Sequence, residues 1–161
     1  CNGIDQVARI IKSVVENPTD RGHIINGWHV PDLEKMALRP CHMMYHFFPN
    51  KNRLNLILYQ RSGDMFLGVP FNIASATTLL YMICRLTGYE PGTLTHSQGV
   101  SHIYVNHIDQ ISEQLLRNPD KYGCPRLEIT GNQKTIDDFV FSDFHLHDYE
   151  SYPAIQGPVA I

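Results

Sequence analysis

Net charge and long apolar runs are scarce in this sequence of 161 residues. Its 13 Lys and Arg residues nearly balance 16 Asp and Glu residues, and the formal net charge is -3. Such a chain has no overall field that would attract nucleic acid or an anionic membrane, so an anionic ligand must be held by individual arginines. No apolar run approaches the ~20 residues of a transmembrane helix, and the first residues lack the pattern of a secretory signal. We therefore predict a soluble cytoplasmic protein that binds neither nucleic acid nor a membrane.

Closely spaced cysteine pairs are also absent. The four cysteines are Cys1, Cys41, Cys84 and Cys124. None stands in a Cys-x-x-Cys or zinc-type spacing, which favours free thiols in a reducing compartment. The nine histidines include one close pair, His145 and His147, and no Glu or Cys stands in a recognised ligand register with it. We therefore predict no metal site.

The hydrophobic pattern that is present predicts an α+β domain. Helical periodicity is found at Ile4–Val15, Ile73–Leu86 and Ile108–Leu116, with a shorter helix at Asp32–Leu38. The helix at 73–86 is apolar nearly all round, which is typical of a central buried helix. Strand patterns occur at His23–Val30, Met43–Phe48, Leu54–Tyr59, Thr93–Thr95, Ile103–Val105 and Arg126–Ile129, with a turn at Gln98-Gly99. We expect one domain, built on a mixed, largely antiparallel sheet packed with helices.

Polar side chains are crowded directly after the apolar run Leu54–Tyr59. They are Gln60, Arg61, Ser62 and Asp64, and Gly63 and Gly68 near them let the backbone turn or approach a ligand closely. The Pro, Asn and Lys content of residues 49–53 predicts a hairpin turn centred near Lys51. That hairpin would place Cys41 and Arg61 at the same edge of the sheet, a pattern typical of a binding site.

Cys41 has two explanations on local sequence alone. Arg39 and His42 flank it, and neighbouring cations lower the pKa of a thiol and raise its thiolate fraction. A cysteine among apolar residues is more often an inert core residue, as we expect for Cys84. The local pattern leaves nucleophile and core residue equally open.

The other candidates also have a structural explanation beside the functional one. Arg61 suits bidentate phosphate capture but could be a solvated surface group. Asn72 could pair with a base or cap a helix, and Asp64 could bind a ligand or cap the following turn. His102 and Tyr104 are two residues apart and would share one face of a strand, as ligands or as packing groups.

Four segments in this order resemble the signatures of the thymidylate synthase family. They are RPCH at 39–42, YQRSGDMFLGVPFNIAS at 59–75, HSQGVSHIYVNH at 96–107 and GPVAI at 157–161. The resemblance covers essentially the whole chain and lacks the family's N-terminal segment. It implies that residues 1–161 are a single catalytic domain, the C-terminal portion of a longer chain, with a thymidylate synthase-like fold whose sheet lies at a dimer interface.

The resemblance also implies a role for each site residue. The catalytic set is Cys41, Arg61, Asp64 and Asn72, with Cys41 adding to C6 of the pyrimidine. The nucleotide-binding set is Arg21, Gln60, Arg61, Ser62, Asn72, His102 and Tyr104, with Arg21 donated by the partner subunit of a homodimer. The folate-binding set is Asp64, Leu67, Gly68, Phe71 and Ala160, the last in a C-terminal tail that covers the folate.

The implied reaction is the conversion of dUMP to dTMP with 5,10-methylenetetrahydrofolate as co-substrate and without a metal. Two alternatives stay open: a dUMP hydroxymethylase that adds water instead of hydride, and an inactive nucleotide-binding fragment or paralogue. The second of these rests on expected site groups that this sequence lacks, and the first on departures from the family pattern, above all at positions 22, 29 and 100. Gly22 replaces a second arginine, His29 an asparagine, His46 a glutamine and Val100 an aspartate.

Overall fold

Three α-helices and six strands form within residues 3–159, the part of the chain that this computed structural model describes. They are α1 (Gln6–Glu16), β1 (Ile24–Asn26), β2 (His42–Asn50), β3 (Arg53–Asp64), α2 (Gly68–Thr87), β4 (Glu90–His102), α3 (Ile108–Leu115), β5 (Arg126–Ile129) and β6 (Phe144–His147). Short 3-10 helices lie between several of them, the longest at Val30–Lys35.

The main sheet has the strand order β1-β2-β3-β4. The pairs β1-β2 and β2-β3 are antiparallel, β3-β4 is parallel, and β5-β6 form a separate antiparallel pair. This arrangement confirms the predicted α+β class with a mixed, largely antiparallel sheet. The hairpin between β2 and β3 turns at Lys51, whose φ of 56° is left-handed, so the predicted turn centre is confirmed.

The core lies on one face of this sheet because β3 alternates with a period of two. Leu54, Leu56 and Leu58 are fully buried there, together with residues of α1 and α2. Burial of each such side chain contributes about 1.5–3 kcal/mol relative to exposure. Strand β3, which carries most of the predicted site residues, is therefore anchored in the core by the apolar residues of its first half.

Helix α2 departs from its prediction in extent and in burial. It begins at Gly68, five residues before the predicted start, and Pro70 is accommodated in its first turn, where its missing N–H is not needed. It ends at Gly88, whose φ of 78° closes the helix in the left-handed conformation. Only 28% of its most apolar window is buried, so the prediction of a central buried helix is wrong for the described chain. By length and composition alone, α2 could cross a membrane.

Two predicted strands have the wrong bounds because close backbone approaches are not visible in a hydropathy pattern. Strand β1 has three residues rather than the predicted eight. At Gly27 a Cβ atom would lie 2.6 Å from the carbonyl oxygen of His42, so the chain leaves the sheet there. The 3-10 helix at Val30–Lys35 follows, where a helix at Asp32–Leu38 was predicted.

Strand β4 is continuous, so the predicted turn at Gln98-Gly99 is wrong. A Cβ atom at Gly99 would lie 3.0 Å from the Arg61 carbonyl oxygen and 3.0 Å from the Tyr59 hydroxyl. Gly99 therefore serves the close packing of β4 against its neighbours and does not reverse the chain. The predicted pieces at 93–95 and 103–105 are replaced by one strand that ends at His102.

Candidate active site

The predicted site residues meet where β3 ends, α2 begins and β2 begins. Gln60, Arg61, Ser62 and Asp64 belong to β3 itself and do not follow it, since this strand extends to Asp64. The pairing of β3 with β4 continues to the same point, where Asp64 lies opposite His102. The backbone of these polar residues is thus fixed by hydrogen bonds of the main sheet.

Arg61 holds the segment that carries Cys41. Its backbone N–H donates to the carbonyl oxygen of Cys41 at 2.9 Å. Its guanidinium donates from Nε to the Pro40 carbonyl at 2.9 Å and from Nη2 to the Arg39 carbonyl at 2.8 Å. The prediction that Cys41 and Arg61 share one edge is confirmed. A guanidinium has five N–H donors, so further donors remain for an anion.

The positive charge beside Cys41 has a different source from the one the sequence indicated. Arg39 is paired with Glu34, Nη2 to Oε1, at 2.9 Å. Burial lowers the pKa of His42, and the neighbouring Asn72 side chain opposes this shift only in part, so the imidazole is neutral near pH 7. Arg61 is left as the cation bound to the Cys41 segment.

A network centred on Gln60 fixes the orientation of Asn72. Gln60 is 2% exposed, and its Nε2 donates to Asn72 Oδ1 at 2.9 Å and to the Ser62 carbonyl at 2.8 Å. Its Oε1 accepts from His96 Nε2 at 2.8 Å. Asn72 is the fifth residue of α2, so the helix-cap explanation for it is wrong. Its Nδ2 amide group takes no part in these bonds and is available to a ligand.

His42 is a site residue that sequence reasoning used only as a neighbour of Cys41. Its Nδ1 lies 2.7 Å from the hydroxyl of Tyr45, while its Nε2 is buried without a hydrogen-bond partner among the described residues. Burial also lowers the pKa of His96, and the nearby His42 adds to this shift. Only the register of β2 against β3, in which His42 lies opposite Gln60, reveals that this imidazole belongs to the site.

Of the two explanations that the sequence left open for Asp64, the structure shows the turn cap. Its Oδ1 accepts from the backbone N–H of Phe66 at 3.1 Å, which caps the turn into α2. The other carboxylate oxygen is not used in that bond. His102 and Tyr104 do not share a strand face, because β4 ends at His102, but their rings still contact edge-to-face at 5.0 Å.

Two of the five predicted folate residues border a groove of about 340 Å³ beside the start of α2. Leu67 and Phe71 line it together with Phe66, and Phe71 is 73% exposed. The opposite wall is formed by residues 149–155, which lead into the C-terminal tail. Gly68 is the first residue of α2. Ala160 lies outside the described residues.

Arg21 is not brought to this site within one chain. It is exposed on the turn before β1, and Ile24 of β1 pairs with His46. His46 is four residues along β2 from His42, about 13 Å at the usual strand rise. Arg21 lies still further from the Cys41 end, because β1 runs antiparallel to β2.

The sequence profile of the thymidylate synthase family matches residues 1–161, the whole of the chain. The chain belongs to this family. Two relatives, both named thymidylate synthase, agree: one from Mycoplasma mobile is 48% identical over 160 residues, and one from Malacoplasma penetrans is 46% identical over 161. Each comparison covers 99% of this chain and 55% of the relative, so the chain spans about half the length of these synthases.

Membership of the family confirms the resemblance that was noted in the four signature segments. Three of them carry the Cys41 segment, the β3-α2 junction and the end of β4, which the fold brings together. Within residues 3–159 no group of three or more His, Cys, Asp or Glu side chains could hold a metal ion.

Proposed function

We propose that this chain carries the pyrimidine-binding part of a thymidylate synthase site and acts in the conversion of dUMP to dTMP. One observation carries the proposal. Arg61 binds the Cys41 segment while the adjacent Gln60 binds Asn72, so two neighbouring residues of one strand fix a nucleophile and an amide together. A covalent reaction on a base needs both at fixed positions.

Base recognition follows from the orientation of Asn72. Uracil presents an N3–H donor next to the O4 acceptor. The Nδ2 group of Asn72 donates to O4, and its Oδ1, which has a second lone pair beside the Gln60 bond, accepts from N3–H. Cytosine presents the reverse pattern on this edge, so this amide orientation favours a uracil nucleotide.

Cys41 supplies the covalent step. Its thiolate adds to C6 of the base, the C5=C6 bond opens, and C5 becomes a nucleophile. Arg61 and Ser62 bind the 5′-phosphate, since the guanidinium keeps free donors beyond its two loop bonds. His102 and Tyr104, whose rings contact each other, bind the ribose hydroxyls.

The groove beside α2 fits the folate co-substrate. A flat pterin ring suits the apolar walls formed by Phe66, Leu67 and Phe71, and its N–H groups suit the free oxygen of Asp64. When bound, 5,10-methylenetetrahydrofolate supplies the one-carbon unit and then the hydride. The residues around it orient the ring and, with the tail, exclude water.

A homodimer completes the nucleotide site in this proposal. The face of the sheet opposite the core carries side chains that stay half-buried: Met44, His46, Ile57 and Tyr59. A second copy on this face would cover them and would bring its Arg21, which cannot reach the site within its own chain, to the 5′-phosphate. We place the enzyme in the cytoplasm and treat 1–161 as part of one catalytic domain.

A dUMP hydroxymethylase is the second candidate, and Val100 favours it. This side chain is 59% exposed and lies opposite Ser62 in the β3-β4 register, where the family pattern has a carboxylate. Loss of that carboxylate changes the polar groups beside the substrate, and Gly22 removes one further cation. These changes could let water in place of hydride reach the reacting carbon. An inactive nucleotide-binding fragment or paralogue is the third candidate.

Product analysis tests all three candidates. The longest natural form of the protein is incubated with dUMP and 5,10-methylenetetrahydrofolate, and nucleotide and folate products are resolved by mass spectrometry. We expect dTMP with dihydrofolate. Hydroxymethyl-dUMP with tetrahydrofolate would replace the synthase by the hydroxymethylase, and absence of both products, with no 5-fluoro-dUMP adduct on Cys41, would leave the binding role.

A further inference from the structure

The segment from Tyr152 to Pro158, called here the tail, is held along residues 107–117, which comprise α3 and the residues at its two ends. Three side chains donate to three tail carbonyls: Arg117 to Pro153 at 2.7 Å, Gln110 to Gln156 at 3.4 Å and His107 to Pro158 at 2.7 Å. Successive tail residues meet successively earlier residues of this segment, so the two segments run in opposite directions. The tail path is set by side chains outside the pyrimidine site.

His107 is the most constrained of these three donors. It is fully buried, and the Pro158 carbonyl is the only hydrogen-bond partner of its ring among the described residues. A carbonyl can only accept, so Nε2 carries the proton and the buried Nδ1 stays unpaired. Leaving a buried polar nitrogen unsatisfied costs free energy that a phenylalanine at this position would avoid. The single polar contact of His107 therefore points to the tail as the reason for an imidazole here.

The same residue connects the tail to the folate groove. The His107 ring packs against Phe66 with centroids 5.0 Å apart. A Cβ atom at Gly157 would lie 2.6 Å from Phe66 Cε1 and 3.5 Å from His107 Cδ2, so the tail backbone fits directly onto both rings. The backbone of Phe66 is in turn held by Asp64. Tail, His107, Phe66 and the Asp64 turn form one continuous contact.

We propose that His107 is a positioning residue: through the Pro158 carbonyl and the Phe66 ring it fixes the tail beside the Asp64–Gly68 turn and so favours hydride over water at the reacting carbon. This inference rests on the proposed function. His107 itself contacts no reacting atom. It acts only by fixing the position of the tail. Water exclusion at this stage decides which product forms.

The two outcomes differ in chemistry that can be measured. The one-carbon unit first joins C5 of the nucleotide to a nitrogen of the folate. Loss of the C5 proton then breaks the bond from this carbon to nitrogen, so tetrahydrofolate leaves and the nucleotide carries a methylene carbon double-bonded to C5 and a bond from C6 to Cys41 Sγ. Hydride from the reduced folate adds to the methylene, C5=C6 forms again and the thiolate leaves; the folate is oxidised to dihydrofolate and the product is dTMP. Alternatively, water adds with loss of a proton and the same thiolate departure, the folate stays tetrahydrofolate, and the product is hydroxymethyl-dUMP.

The test removes the contact between His107 and the tail by substitutions on each of the two segments. His107→Phe keeps an aromatic ring and removes the donor, and His107→Gln replaces the imidazole by an amide that can donate to the same carbonyl. Gly157→Ala displaces the tail, because the added Cβ atom would collide with Phe66. Gly123→Ala is the matched control, because a Cβ atom there meets nothing within 4 Å. Hydrogen exchange of residues 152–158 is measured without substrate, and the ratio of hydroxymethyl-dUMP to dTMP is measured with substrates.

We expect His107→Phe and Gly157→Ala each to raise tail exchange by about tenfold, the effect of losing one hydrogen bond or its equivalent. Both variants should raise the hydroxymethyl ratio, with the KM for dUMP unchanged, and the double variant should be no worse than either, since one contact is lost in each. His107→Gln should recover most of the wild-type ratio. If His107→Phe does not fold, Gly157→Ala still tests the contact.

Two results would overturn the inference: tail exchange unchanged in Gly157→Ala, or faster exchange with an unchanged product ratio. A wild-type protein that makes no nucleotide product would count against the proposed function. The exchange data would then decide by themselves whether His107 holds the tail.

Discussion

The proposed pyrimidine half of the site and the proposed folate half are built in different ways. The first consists of Cys41, Gln60, Arg61 and Asn72, joined by hydrogen bonds of 2.9 Å that all start from two adjacent residues of β3. The second is a groove between the start of α2 and residues 149–155, held by packing and by the side chain of Arg117, just after α3. The first half therefore stands on a strand of the main sheet, whereas the second is enclosed by a helix start and by a segment without regular secondary structure.

The two halves also differ in how completely their polar groups are used. Gln60 uses both atoms of its side-chain amide: Nε2 donates two hydrogen bonds and Oε1 accepts one, and the residue is 2% exposed. In the folate half, Asp64 uses one oxygen for its own turn and Phe71 is 73% exposed. A variant in the first half should therefore damage structure and chemistry together, and one in the second should change folate use alone.

The largest effect is expected from Cys41→Ser, which removes the nucleophile from the pyrimidine half. Turnover of dUMP should fall by about 10⁴-fold or more, because the covalent route is closed. Binding of dUMP should persist, since Gln60 and Asn72 are untouched. Mass spectrometry of a 5-fluoro-dUMP adduct measures the loss, with the exposed Cys124→Ser as control. An adduct on the Cys41→Ser protein would exclude Cys41 as the nucleophile.

Arg61→Lys should give the next largest effect. A lysine cannot reproduce the two guanidinium bonds to the Arg39 and Pro40 carbonyls, so the Cys41 segment loses its anchor and the phosphate loses a donor. We expect kcat/KM for dUMP to fall about 10²-fold. Arg39→Gln is the control on the same segment, and it should change little because its ion pair with Glu34 is exposed. Equal losses in both variants would contradict the assigned role of Arg61.

Phe71→Ala sharpens the comparison from the folate half. Because Phe71 is 73% exposed, the free energy of unfolding should change by less than about 0.5 kcal/mol. The KM for the folate should rise about tenfold, since a ring that stacks on a flat ligand is lost, with the Kd for dUMP unchanged. Steady-state kinetics at varied folate concentration measure this. A larger change in dUMP binding than in folate KM would show that the halves are not separable.

The smallest expected effect is a pH dependence confined to the pyrimidine half. Burial lowers the pKa of His42 and of His96, so the unfolded chain binds protons more readily than the folded one below the ordinary pKa of about 6.5. The free energy of unfolding is therefore highest above that pH, where both imidazoles are neutral. It decreases as the pH falls toward the lowered pKa values of the folded protein. Tm should therefore decrease between about pH 7 and about pH 5.

His42→Gln should flatten that pH profile, since a neutral amide does not titrate. His145→Gln, on the exposed β6, serves as the control and should leave the slope as it is. An identical slope in the wild type and His42→Gln proteins would assign the pH dependence to other groups.

Prediction from the sequence succeeded mainly where the pattern is local. The apolar run before Gln60, the hairpin at Lys51 and the helix at 108–115 were all indicated by residues within one element. The close approach of Cys41 and Arg61 followed from the hairpin alone. These features depend on periodicity and turn chemistry, which a single sequence records.

What the sequence could not predict depends on contacts between distant residues. The Gln60–His96 bond requires the parallel register of β3 and β4, and the neutral state of His42 requires burial beneath elements that come later in the chain. The continuous β4 was missed because Gln98-Gly99 has the composition of a turn. The glycine is instead required by the close approach of the Arg61 backbone, which leaves no room for a side chain. The contacts of His107, Gln110 and Arg117 with the tail have no sequence pattern that predicts them.

The parallel pairing of β3 and β4 also governs the order in which the site can form. Parallel strands cannot be joined by a tight turn, and here the connection is α2, the helix that bears Asn72. Strand β4 and its His96 can therefore join β3 only as α2 docks on the sheet. Refolding should thus assemble the base-recognition network in one cooperative step together with the sheet, and a partly folded chain would have no half-competent pyrimidine site.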